Sequence, residues 1–187
     1  MAALLDDLTP GLKKEVLDWC RSILVAKLNG AAPPAAPPLE DRRGGVFVTL
    51  KKKGRLRGCI GRFAFDDLLE KAILEMVEAA AFQDPRFPPV TKDELKDLDI
   101  TVSVLTPPQP LESIDDLVIG RDGLFLFHPR GRGVLLPVVA VEQGFTQEEF
   151  AKATAIKAGL SPEAYKDPLA KLMVFTAPAF STDPTEK

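Results

Sequence analysis

The sequence predicts an α+β domain built on a largely antiparallel β-sheet flanked by helices. Three observations carry this. Apolar residues recur at helical spacing over residues 8–28 and 66–82. Two β-rich runs are joined to their successors by short turn segments, KKKG at 51–54 and PRGR at 129–132. Residues 99–106 alternate apolar and polar, the pattern of a strand with one wet face.

The first helix carries Leu8, Leu12, Val16, Trp19, Cys20, Ile23 and Leu28 on one stripe, with Thr9-Pro10 as N-cap and first helical residue. Asn29-Gly30 stops it. Cys20 falls on the stripe and reads as a small apolar filler. Residues 31–38 (AAPPAAPP) form a stiff, extended connector. Residues 46–50 are a strand, Gly54 takes the left-handed position of a hairpin turn, and a second strand starts at Arg55. The helix over 66–82 is capped by Asp66 or Asp67 and buries Leu69, Ile73, Met76, Val77 and Ala80; DPRFPP at 84–89 breaks it. Thr91 and Glu94 form a capping box for a short helix. Ile100, Val102 and Val104 point inward from the next strand and Thr101 and Ser103 outward, and Pro107, Pro108 and Pro110 end it. Asp122-Gly123 reads as a turn, residues 124–128 and 133–136 as a hairpin, and the sole histidine, His128, as an exposed residue at its tip. Thr146 and Glu149 box a helix to Ala158 with Gly159 beyond it, Ser161-Pro162 opens a turn, and residues 172–175 are the last strand. The organisation expected is one domain over 1–187, with the helix at 8–29, the connector at 31–38 and an α+β body at 45–180.

Composition narrows the function. At 187 residues with a formal net charge of -3, the chain is not a general nucleic-acid coat. It has no apolar run of membrane-spanning length. Residues 1–9 contain Asp6 and Asp7 and no basic residue, unlike an export signal, so Cys20 and Cys59 read as reduced thiols and the expected compartment is the cytoplasm. One histidine and two scattered cysteines do not make a closed zinc site, and no metal or other cofactor is expected.

Charge is concentrated in one place. Arg42, Arg43, Lys51, Lys52, Lys53, Arg55, Arg57 and Arg62 lie in a stretch without Asp or Glu, around the segment RLRGCIGR at 55–62. Guanidinium groups beside a thiol favour its reactive thiolate, and glycines allow backbone N–H groups to approach an anion. Cys59 is therefore the candidate nucleophile, with Gly58 and Gly61 as a cradle and Arg57 and Arg62 as anion-holding groups. Asp84 and Glu142 are candidate proton carriers, and Arg86, oriented by Asp84, a further binding group. The residues leave a second reading open at each position: packing for Cys59, edge protection for the arginines, turn capping for Asp84 and an exposed acid for Glu142.

Further segments join this motif: GVFVTL at 45–50, LRGCIG at 56–61, DPRFPPV at 84–90, VSVL at 102–105, GRDGL at 120–124, LLP at 135–137, VA at 139–140, EQG at 142–144 and KAGL at 157–160. Together they resemble the AMMECR domain family, protein A of the AmmeMemoRadiSam system, over roughly residues 8–180. The resemblance implies a fold in two unequal lobes with the cysteine motif near the cleft, and work alongside radical-SAM and Memo-type partner proteins. It leaves the chemistry open. Val138 stands where the family has a polar residue, Phe145 where it has Trp, Ile156 where it often has Cys, and no histidine precedes the first strand near Gly44. The function expected is that of an enzyme or enzyme component acting through Cys59 on a small anionic or carbonyl-bearing metabolite. The alternatives are a non-catalytic binding module for an anionic ligand or protein partner and, with less support, nucleic-acid binding by the basic turn.

Overall fold

A computed structural model describes residues 8–185 of the chain. The reading of the N-terminal residues as unlike an export signal rests on Asp6 and Asp7, which lie outside the described residues. The chain divides into two compact units, one running to Leu105 and resuming at Pro178, the other spanning Thr106–Ala177.

In the first unit, helix α1 covers Pro10–Leu28, where Thr9 Oγ1 accepts the Leu12 N–H at 3.2 Å and Asn29 closes the C-terminus. It buries Val16, Leu17, Trp19, Cys20, Ile23 and Leu24. Burial pushes the Cys20 thiol up to about 12, as befits a filler. The proline connector is strapped to this helix: Trp19 Nε1 donates to the Pro34 carbonyl at 3.0 Å, and Leu39 beyond it is buried.

Strands β1 (Gly45–Lys52) and β2 (Arg55–Arg62) form an antiparallel hairpin. Its turn is Lys53-Gly54, both left-handed at φ 52° and 74°, so β1 runs two residues further, through Lys51 and Lys52, than the turn reading of 51–54 allowed. β1 also pairs with β3 (Leu98–Leu105), which pairs with β8 (Ala179–Ser181); the order is β2-β1-β3-β8, antiparallel throughout. A three-residue strand carries too little period to be read from sequence, and β8 was missed for that reason. Val46, Val48, Leu50, Ile100, Val102 and Val104 form the buried face, packed with α1 and with α2, Leu69–Phe82.

α2 starts later than expected, and neither Asp66 nor Asp67 caps it. The Leu69 N–H instead donates to the Arg42 carbonyl at 2.8 Å, a backbone substitute that frees Asp67 for another partner. A 3₁₀ turn over Lys92–Asp97 carries the expected capping box, with the Glu94 carboxylate accepting the Thr91 N–H at 3.0 Å.

The second unit is another antiparallel sheet, β4 (Gln109–Pro110), β7 (Lys171–Thr176), β5 (Asp122–His128) and β6 (Gly131–Leu135) in that spatial order. Helix α4, Gln147–Lys157, opens on its Thr146/Glu149 capping box and is followed by Gly159 at φ 75°. It lies directly on β6, because an added Cβ on Gly131 or Gly133 would overlap the carbonyl oxygens of Ala158 or Thr154.

Four expectations change here. Residues Pro137–Gln143 are a helix, α3, which sequence reasoning did not place. The second hairpin turns on Pro129-Arg130 alone, with Gly131 and Arg132 already in β6. Asp122 is not merely a turn residue: it is buried, accepts the Val118 N–H at 2.9 Å and binds Arg121. His128 is buried at 3% exposure rather than exposed at a tip; its Nδ1 accepts the Arg130 N–H at 3.1 Å, and its Nε2 lies 3.5 Å from Asp167 Oδ2. The imidazole staples the turn from inside, where a strand-end ring can reach the following backbone.

Candidate functional site

The cysteine motif lies on β2, at the edge of the first sheet. Strand alternation sends Gly58 and Cys59 to opposite faces. Gly58 faces α2 so closely that an added Cβ would overlap the Ala80 carbonyl oxygen and lie 3.1 Å from its carbon. A Cβ on Gly61 would run into the Phe47 ring. These two glycines therefore allow close contact with a helix and a ring. Cys59, half-buried, stands on the other face of the strand, opposite Thr49 in register, with 3.2 Å between Sγ and Thr49 Oγ1.

Among the described residues no strand lies beside the outer edge of β2, yet both backbone groups of Cys59 are satisfied. The Cys59 N–H donates to Asp84 Oδ2 at 2.8 Å, and the Cys59 carbonyl accepts from Arg86 Nη2 at 3.1 Å. Asp84 and Arg86 grip each other through Nε at 2.9 Å and Nη2 at 2.7 Å, and Asp84 also accepts the Arg86 backbone N–H at 3.1 Å. The pair thus occupies the hydrogen-bonding positions of a neighbouring strand. Asp84 is 2% exposed and Arg86 54%.

The Arg86 guanidinium, helped by the N–H of Cys59, holds the Asp84 carboxyl far below the usual carboxylate range despite its burial. In this environment Asp84 acts as a hydrogen-bond acceptor for Arg86 and for the Cys59 N–H. The Arg86 guanidinium is held in its charged form chiefly by Asp84, with a smaller contribution from the neighbouring Cys59 sulfur.

Two arginines of the motif, Arg57 and Arg62, are already engaged. Arg57 donates to Glu94 through Nε at 3.0 Å and Nη2 at 2.9 Å, and to the carbonyls of Pro88 at 2.8 Å and Pro89 at 3.3 Å. It is 12% exposed, and Lys52 Nζ joins Glu94 at 3.0 Å. Arg62 pairs with Asp67 at 2.9 Å and with Glu75. Both were expected to hold a ligand's anion; carboxylates from α2, the 3₁₀ turn and the loop before α2 hold them instead. Sequence reasoning missed Glu94 and Glu75 as partners, since nothing local links them to residues 57 and 62, and it missed Thr49, whose only signal was its place on the wet face of β1. Glu142 is exposed on α3 of the second unit, and Val138 is exposed on the same helix. Among the described residues, no cluster of His, Cys, Asp and Glu could hold a metal ion.

Arg57 is a brace between β2 and the loop that carries Asp84. Arg57→Ala is expected to cost about 1–3 kcal/mol, because it leaves a largely buried carboxylate without its main partner. Arg57, opposed by burial, holds Glu94 at about 2. A depressed carboxyl stabilises the fold above its unfolded value and loses that contribution as pH falls toward the folded one. Urea titrations of the parent should therefore weaken from the ordinary glutamate range downward, and those of Arg57→Ala should weaken less over the same range.

A family model described as AMMECR1 matches residues 17–180. A protein of Methanothermobacter thermautotrophicus is 46% identical over 161 residues, covering 83% of this chain and 84% of its own length. Protein TK0174 of Thermococcus kodakarensis is 41% identical over 162 residues, 81% of this chain and 79% of its own. The crystal structure of uncharacterized protein PH0010 from Pyrococcus horikoshii superimposes with a TM-score of 0.85 at 35% identity, covering 94% of each chain. With a family model spanning most of its length and relatives this close, the chain belongs to the AMMECR1 family.

Proposed function

We propose that Cys59 is the reactive group of a site for a small anionic or carbonyl-bearing metabolite, and that Arg86 is the group facing the anion. One observation carries the reading. Of the arginines around the motif, Arg86 alone both bonds to the Cys59 peptide and leaves half its side chain to solvent. Its fork is fixed by Asp84, so its direction is set before a ligand arrives. Addition of Sγ to a carbonyl carbon forms the S–C bond, sends the carbonyl π pair to oxygen and passes the thiol proton there, with no other reactant needed. Such a step fits a component working with the radical-SAM and Memo-type proteins that the family resemblance implies.

Alkylation of the folded chain, mapped by mass spectrometry, tests this. Iodoacetamide near neutral pH is expected to label Cys59 and spare the buried Cys20. Anionic iodoacetate should lose more rate than neutral iodoacetamide in Arg86→Gln, since only the former uses the guanidinium. Cys59 as inert as Cys20 would end the proposal.

A second reading, a non-catalytic binding module, is favoured by one observation: the sole histidine is buried in the second unit with Nδ1 spent on a turn. Under it, Cys59→Ser leaves ligand affinity unchanged while Arg86→Gln weakens it. Internal pairing of Arg42, Lys52, Arg57 and Arg62 supports a small ligand over a nucleic-acid backbone.

A further inference from the structure

Resting on the reading of Cys59 as the reactive group, we infer that Thr49 is its positioning residue, donating its hydroxyl hydrogen to the sulfur as the sulfur ionises. The register supports this. Cys59, Thr49, Thr101 and Ser181 are consecutive partners across β2, β1, β3 and β8, one polar row on the face opposite the apolar core. Because the Cys59 N–H turns outward to Asp84, Cys59 and Thr49 form the non-hydrogen-bonded kind of antiparallel pair, in which facing side chains approach most closely. Sγ and Oγ1 are 3.2 Å apart.

A thiolate accepts hydrogen bonds and donates none, so in that state the hydroxyl is the donor, and the contact favours the attacking form of the sulfur. Threonine suits the place, since its branched Cβ restricts χ1 and keeps the hydroxyl aimed across the strands. The charged residues on the elements beside Cys59 are Arg86 and Asp84 in the flanking loop, Arg55, Arg57 and Arg62 on its own strand, the last two paired with Glu94, Asp67 and Glu75, and Lys51 and Lys52 on β1. Arg57, Arg62 and Lys52 are neutralised by those carboxylates. α2 meets the opposite face of β2 at Gly58 and brings no charge to the sulfur there.

The test is the pH profile of iodoacetamide alkylation at Cys59 in the full chain, for the parent, Thr49→Val and Thr49→Ser. Valine keeps the shape and strand preference of threonine without the hydroxyl. The expected result is a rate about tenfold lower near neutral pH in Thr49→Val, the size of one hydrogen bond to a charged group. The alkaline plateau should be unchanged, and Thr49→Ser should restore the parent profile. A Thr49→Val profile that superimposes on the parent overturns the inference, as does an equal loss at all pH values in both variants, which marks a packing role. An inert Cys59 in the parent overturns the site reading itself, and so is told apart from failure of the Thr49 assignment.

Discussion

Gly58→Ala is expected to destabilise the protein by more than about 3 kcal/mol, the largest effect of any single substitution considered. The added methyl would overlap the carbonyl oxygen of Ala80 and crowd its carbon, and both are backbone atoms of α2. No side-chain rotation relieves that. The strand must move away from the helix, opening the close contact between Gly58 and Ala80. Urea denaturation of the purified variant gives the measurement. Gly54→Ala is the control: no atom stands within 4 Å of its added Cβ, and the cost there is the left-handed backbone at φ 74° alone, about 1 kcal/mol. Gly61→Ala should fall between the two, because a Phe47 ring yields more readily than a helix backbone. A Gly58→Ala variant as stable as Gly54→Ala would show that the close approach of β2 to α2 is not needed.

Asp84→Ala is expected to cost about 2–4 kcal/mol. The substitution strands the Cys59 N–H at the sheet edge and releases Arg86 from the fork that aims it at the Cys59 carbonyl. Arg86 is half exposed and returns to water, so the loss stays below that of a pair buried on both sides. Asp84→Asn should be nearly as costly, since its amide presents a donor to groups that are themselves donors. The pH dependence separates this contribution from packing. Asp84 is depressed in the fold, foremost by Arg86, so it stabilises the native state above the unfolded aspartate value of 3.8 and loses that contribution as pH falls below it. Unfolding free energies measured from neutral pH into acid should fall steeply in the parent and more gently in Asp84→Ala. Parallel curves would mean that the carboxylate is not held ionised by its partners.

Much of the fold was legible because its signals are local. A helix announces itself through a period of 3.6 residues, as α1 and α2 did, and a capping box through residues three apart, as at Thr91 and Thr146. The hairpin of β1 and β2 was written in Lys53-Gly54, and the family in a six-residue motif. Short or unpatterned elements were not legible: β8 has three residues, and α3 is a single apolar stretch opened by a proline.

The sequence by itself determined which residue types crowd around Cys59, and that eight basic groups gather there without an acid among them. Only the tertiary structure decided what those groups do. Arg57 meets Glu94 across 37 positions, Arg62 meets Glu75 across 13, and Cys59 meets Asp84 across 25. Groups separated that far along a chain are joined only by folding, and where they are largely buried, as the Glu94 and Asp84 carboxylates are, each must take a partner. Four of the eight basic groups, Arg42, Lys52, Arg57 and Arg62, therefore meet carboxylates in the folded protein, and the exposed guanidinium bonded to the Cys59 peptide comes from Arg86, in a loop outside the motif.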